Sequence, residues 1–234
     1  MLLAVLALLA PFQDRHVTDY RLDQESGESL EHWRYGRPTW QKRDYVLQGF
    51  LGANLFETME RTGGASPDVD GSDEEASQLP VIGGGGQWKL GGESVDLGVE
   101  AMISFSGRAD ATAFAAGGGG AFLAVDVDLL LVELYGGPFA SWFLGPDARV
   151  YASAGPLMEW ADFSQKSDDD TIDDSGQGFG TGWYARTGIE FRMTENSMVG
   201  LGVRWSESTV DLDNSLGTLD LDGFQVVVTV TEGF

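Results

Sequence analysis

The chain has 234 residues, room for one sizeable domain, with 33 glycines, 42% hydrophobic residues and a formal net charge of −23 from 37 acidic and 14 basic side chains. This acidity argues against nucleic-acid binding, which needs Lys and Arg for phosphates. The absence of cysteine excludes disulfide frameworks, thiolate metal sites and Cys nucleophiles.

The first ten residues are continuously apolar and stop at Pro11. That is the length of a signal-peptide core and far short of a membrane helix, so residues 1–11 read as a secretion signal, a truncated one in that no Lys or Arg precedes the run. Residues 12–44 are polar and of mixed charge, with no sustained period, and read as a leader. No later segment reaches about 18 apolar residues, the length a helical span requires. A membrane role would fall to strands.

From Tyr45 onward the chain breaks into segments whose side chains alternate, as tilted bilayer-crossing strands do. The predicted strands cover about 45–56, 80–90, 94–105, 129–144, 149–161, 179–193, 198–206 and 223–234. In the sixth, Phe179, Thr181, Trp183, Ala185, Thr187, Ile189 and Phe191 fall on one face, opposite Tyr184, Arg186, Glu190 and Arg192. One face suits lipid and the other a polar interior. The third segment repeats the pattern with Val95, Leu97, Val99, Ile103 and Phe105 against Asp96, Glu100 and Ser104. The fourth has the least certain start, and a hairpin hidden between Gly107 and Val132 would raise the count to ten.

The connections also alternate. Those at 91–93, 145–148 and 194–197 are tight, whereas 57–79, 106–128, 162–178 and 207–222 are long. Short turns at one end and long loops at the other distinguish the two mouths of an outer-membrane barrel. The fold class is therefore all-β, an antiparallel up-and-down transmembrane β-barrel of about eight strands.

Lys89, Arg149, Arg186, Arg192 and Arg204 are assigned to the inward face, with Asp96, Glu100, Glu133, Glu159 and Glu190. A narrow eight-stranded barrel has room only for side chains, so buried charges must pair or bear a large desolvation cost. Equal numbers of each sign predict a salt-bridge network rather than an ion path. Glycines at 83, 85, 98, 155, 180, 182, 188, 200 and 202 are expected to leave space for the long Arg and Glu chains. The excess acid falls mostly in the four long connections.

The segment Tyr135 to Trp160, a strand with Gly-Pro, a tight polar turn and a strand carrying Ala-Gly-Pro, resembles the central hairpin of the small outer-membrane barrels related to OmpA and OmpX. The alternating Val226, Val228 and Val230 before a terminal Phe234 are similar to the C-terminal signal read by the barrel-assembly machinery, although Glu232 departs from that pattern. The resemblance covers about 190 residues and implies a Gram-negative outer-membrane location, a periplasmic leader, and lipid and lipopolysaccharide as surroundings. Tyr45, Trp88, Trp142, Phe191 and Phe234 near the short-turn end, with Phe105, Trp160, Trp183 and Trp205 near the long-loop end, would form the two interfacial girdles.

His16 and His32, the two histidines, precede the first strand, which argues against a His-based hydrolase or acyltransferase. No enzyme and no cofactor are expected. Asp168, Asp169, Asp170, Asp173 and Asp174, with the acidic run before residue 76, are weak candidates for Ca²⁺ or Mg²⁺, which could bridge to lipopolysaccharide phosphates. The expected function is structural or surface-interacting through acidic loops, with the lumen closed by Arg/Glu pairs. The alternatives are a small porin-like channel and a secreted soluble ligand-binding barrel.

Overall fold

The computed structural model describes residues 44–63, 69–70, 77–92, 95–116, 122–145, 147–166, 173–194, 196–213 and 216–233. They lie within one unit, Pro38–Phe234. The segment expected as signal, the leader up to residue 43, both histidines, Asp168 to Asp170 and Phe234 fall outside the described residues.

Nine strands form in chain order: β1 (Tyr45–Thr62), β2 (Val69–Asp70), β3 (Gln78–Gly91), β4 (Val95–Ala116), β5 (Phe122–Phe143), β6 (Ala148–Lys166), β7 (Asp173–Arg192), β8 (Ser197–Leu212) and β9 (Gly217–Gly233). Each long strand pairs antiparallel with the next, and β9 returns to β1, from Val46↔Gly233 to Thr62↔Thr218. The result is a closed up-and-down barrel of eight strands. The two-residue β2 bridges β1 and β4 beyond the end of β3. β4 and β5 pair directly along their length, so the ten-strand alternative is not found.

The alternation in the sequence maps onto the wall. In β7, Tyr184, Arg186 and Glu190 are buried, whereas Phe179, Trp183 and Phe191 are exposed. The tight turns sit where expected. Gly92 (φ 113°) and Gly145 (φ 77°) supply left-handed backbone at two of them. At the third, Met193 N–H donates to the Ser197 carbonyl at 2.9 Å, and the Thr194 hydroxyl caps the Ser197 N–H at 3.0 Å.

At the opposite end the strands run further than their apolar-outward pattern, so the long connections are much shorter than expected. The reason is an inversion of phase. In β8, Leu201 and Val203 face out and Arg204 in; from Glu207 onward Thr209 and Asp211 face out while Val210 and Leu212 are buried. β9 repeats the inversion, with Leu219 and Leu221 buried and Asp220 and Asp222 turned outward. Inside this extension Met59, Leu129, Leu131, Phe163, Val210 and Leu219 belong to one buried cluster. The wall there is an ordinary water-facing sheet around an apolar core.

Between the two ends lies an outward belt of exposed apolar side chains, among them Leu134 (52% exposed), Trp142 (57%) and Leu201 (60%). From Trp142 to Leu130 along β5, at about 3.3 Å per residue and a tilt of about 40°, the belt is about 30 Å tall.

The apolar extension should carry much of the stability. Phe163→Ala is expected to lower the unfolding free energy by about 3–5 kcal/mol, and the outward neighbour change Ser164→Ala by less than about 0.5 kcal/mol. Urea titration read by heat-modifiable gel migration checks this, and equal effects would contradict the inverted phase.

Candidate functional site in the barrel lumen

The inward positions of the belt region are polar, and closure of the barrel brings residues distant in sequence within hydrogen-bond reach. Glu190 on β7 is fully buried. Its Oε2 accepts from Arg149 Nη2 at 2.6 Å and Nε at 3.0 Å; its Oε1 accepts from Gln48 Nε2 at 2.7 Å, Thr231 Oγ1 at 2.6 Å and Thr229 Oγ1 at 3.0 Å. Arg149 continues through Nη1 to Gln87 Oε1 at 3.3 Å, and Gln87 Nε2 donates to Glu100 Oε2 at 2.9 Å. Arg186 Nη2 donates both to Glu100 Oε2 at 2.8 Å and to Gln48 Oε1 at 2.7 Å. The chain of bonds closes on itself: Glu190, Arg149, Gln87, Glu100, Arg186 and Gln48 form a ring across the lumen.

Two carboxylates and two guanidinium groups alternate in this ring, with a glutamine amide at each relay. A primary amide both donates and accepts, so it can join an Arg to a Glu too distant for direct contact. Ser153 and Tyr184 hydroxyls complete Glu100, donating to Oε1 at 2.6 and 3.1 Å. Tyr151 lies under both guanidinium groups, with ring centroid 5.6 Å from Arg149 Cζ and 5.0 Å from Arg186 Cζ. The expected role of the glycines fits Gly200, where a Cβ would come within 2.7 Å of Glu190 Cγ, but is corrected at two others. A Cβ at Gly188 or Gly202 would come within 2.5 or 2.6 Å of the Tyr151 hydroxyl, so these two make room for a tyrosine rather than for Arg or Glu.

Toward the loop end a cluster of Phe50, Val81, Met102, Tyr135, Leu157, Tyr184 and Val227 forms the next group of buried side chains. Beyond it, Arg204 is paired with Glu133, whose Oε2 also accepts from Ser104 at 2.6 Å. Arg204 also stacks over the Tyr135 ring at 4.5 Å. Glu159, directly across the strand pair from Glu133, accepts from Ser208. Toward the short turns Lys89 pairs with Asp96. A recess of about 10 Å³ beside them, lined by Gln87, Lys89, Asp96, Phe139 and Arg149, has room for about one water.

One predicted inward member does not join the network. Arg192, the last residue of β7, sits at the rim with Nε 3.8 Å from the exposed Asp147 carboxylate. A different cation, Arg61, is fully buried at the opposite end and donates to the Leu216 carbonyl at 2.7 Å. It was illegible in the alternation because a bulge between Phe56 and Thr58 shifts the phase of β1. Gln48 and Gln87 carry no charge, so a matching of opposite signs along the sequence passes over them. Their inward parity was the available signal.

The predicted girdle residues Trp88, Phe105, Trp142, Trp183 and Phe191 are exposed on the outer face; Tyr45, Trp160 and Trp205 are half-buried. Tyr45 and Trp88 rings lie 5.4 Å apart, and Trp205 Nε1 donates to Asp222 Oδ1 at 2.8 Å. Asp173 and Asp174 pair through their backbones with Lys166 and Gln165. Among the described residues no group of three or more His, Cys, Asp or Glu side chains is arranged to hold a metal.

Removing one partner of a buried ion pair leaves the other uncompensated, whereas removing both does not. Arg186→Met is therefore expected to cost about 3–5 kcal/mol, and Arg186→Met with Glu100→Leu markedly less than the single change. A urea-unfolding double-mutant cycle measures this; additive losses would contradict the coupling.

No protein-family model matches the chain, and no curated protein matches it in sequence. Solved structures do. The outer membrane protease OmpT of Escherichia coli aligns over 82% of this chain and 97% of its own at 11% identity and TM-score 0.50. Ail, the attachment invasion locus protein of Yersinia pestis, covers 81% and 99% at 13% identity and TM-score 0.44. The N-terminal barrel domain of Pseudomonas aeruginosa OprF covers 82% and 98% at 15% identity and TM-score 0.41. What the chain shares with such proteins is the fold, an outer-membrane-type antiparallel up-and-down β-barrel, here of eight strands.

Proposed function

We propose that the protein is an integral outer-membrane barrel with a structural or surface-interaction role, its lumen closed by side chains and its acidic end turned to the exterior. The exposed belt carries this reading. Leu47, Ile82, Leu97, Leu134, Trp142, Leu201 and Val228, from six strands, are all exposed within it. An apolar surface of that extent is far beyond what water-soluble monomers display, and it matches the hydrocarbon core in thickness. A soluble ligand-binding barrel would reverse the arrangement, with a polar outside and an apolar cavity.

The ring and the Arg204–Glu133 pair support a closed lumen, because an ion crossing it would have to break buried charge-assisted hydrogen bonds. Beyond the belt, Glu60, Glu207, Asp211, Asp220 and Asp222 face outward or lie at the surface of β1, β8 and β9. Their level is that of lipid headgroups, where Ca²⁺ or Mg²⁺ would link them to lipopolysaccharide phosphates. Delivery by the barrel-assembly machinery through the last strand fits its alternating Val226, Val228 and Val230. OmpT is a protease; the lumen of this chain is built as a structural network, and we assign it no enzymatic activity.

On this reading the protein stays with membranes after alkaline carbonate extraction, and its recovery in the soluble fraction would overturn the proposal. Reconstituted in planar bilayers it should give no steady conductance; a sustained ohmic current would favour the porin-like alternative. Leu134→Arg should cost about 2–4 kcal/mol in a bilayer, as a charge at the midplane of a barrel's lipid face does. An unchanged stability would place that face in water.

A further inference from the structure

The ladder between β5 and β6 lapses midway across the belt. Tyr135 pairs with Leu157 and Phe139 with Ser153, in one continuous register, yet the three positions between them are unpaired. In that register Gly136 stands opposite Pro156 and Pro138 opposite Ala154. Alternate positions of an antiparallel ladder exchange two N–H···O bonds, and proline has no N–H to give. The carbonyls of Gly136 and Ala154 therefore lose their ladder donors. Gly137 and Gly155 face each other between them with no side chain to fill the gap: a Cβ on Gly155 would lie 2.3 Å from the Gly136 oxygen, and one on Gly137 2.3 Å from the Ala154 oxygen, a close approach the paired wall also shows at Gly182 and Gly200.

Proline is normally kept out of central strands, and a carbonyl without a donor is costly where no water reaches. Here two prolines fall on facing strands at one height. Four other pairs of long strands are continuous, among them β8 and β9 from Ser197↔Glu232 to Leu212↔Gly217 and β6 and β7 from Ala148↔Phe191 to Lys166↔Asp173, and the irregularities in the remaining three, at Phe56/Thr58, Lys89/Gly91 and Arg108/Ala111, involve no proline. On the outside, Pro138, Ala152, Ala154 and Pro156 are small and exposed between the larger Leu134, Met158 and Trp142. On the inside, Tyr135 and Leu157 flank the gap and lead to the buried apolar cluster with Met102.

We propose that this seam is a lateral gate: β5 and β6 part between residues 136–138 and 154–156 before any other pair of strands, opening a path from the belt to the apolar inner cluster. A molecule using it is slender and apolar, an alkyl chain rather than a solute, because Pro, Ala and Gly line its outer side and Leu157, Tyr135 and Met102 its inner side. The gate is a property of the wall and can be read in detergent micelles whether or not the chain resides in a bilayer.

Because the chain has no cysteine, single thiols report access cleanly. Leu157→Cys places one behind the seam, and Val227→Cys places one in the same cluster on the opposite wall. Treated with an N-alkylmaleimide in micelles, the thiol at 157 should react at least about tenfold faster than that at 227, as local opening of one seam requires. Adding Pro138→Val and Pro156→Val, which restores both N–H groups, should remove the difference. Equal rates, or a difference that survives the restored donors, overturn the gate. If a cysteine variant loses heat-modifiable migration, amide exchange of the unaltered barrel decides. Gly136 and Ala154 N–H should then exchange at least about tenfold faster than Val203 and Val226 N–H, and equal protection overturns the proposal.

Discussion

The structure depends on a single constraint, that the backbone N–H and C=O groups along the wall find their partners in a neighbouring strand. β9 closes on β1 over the full length of both, and this pairing leaves the sheet without an open edge. Antiparallel neighbours, an even number of strands and both ends of the barrel at the short-turn mouth follow from closing a meander in this way. Closure also fixes the interior. A barrel of eight strands leaves space inside only for side chains, so inward charges have no alternative to bonding one another.

That enforced pairing explains the order of the lumen. The ring of Glu190, Arg149, Gln87, Glu100, Arg186 and Gln48 ties β1, β3, β4, β6 and β7 together. The Phe50 to Val227 cluster and the Arg204–Glu133 pair follow, and the apolar core of Leu131, Phe163 and Leu219 ends the series. Desolvating charges costs several kcal/mol each even when they are paired. Apolar burial in the extension offsets part of that cost where the outer face is polar. One strand thus serves two environments by exchanging the sign of its faces, as β8 does at Glu207.

The closed eight-strand barrel and the inward set of charges were legible because β7 and β4 alternate without interruption and the short turns carry Gly92 and Gly145. The reach of the strands was not. Outward apolar positions mark a strand only as far as the belt, and β8 and β9 continue past Trp205 and Phe224 with Asp and Thr outside. Hydrogen bonding, not lipid contact, sustains a strand, so the pattern ended before the element did. Arg61 escapes the alternation through the bulge in β1, while Arg192 keeps its inward parity at the rim but stands apart from the ring, beside Asp147. The glutamine relays were hidden by their neutrality, since nothing local distinguishes an inward Gln that joins two ion pairs from one that faces water.

The proposed assignment stands or falls on what touches the belt. Nuclear Overhauser effects between lipid acyl chains and backbone amides, measured on the protein in lipid nanodiscs, report that contact directly. Cross-peaks from acyl methylenes to Val99, Leu134, Leu201 and Val228, with water exchange confined to residues such as Asp211 and Asp220, are the predicted result. Water contact along the whole outer face, or acyl contact at Asp211 and Asp220 in place of the belt, would contradict it.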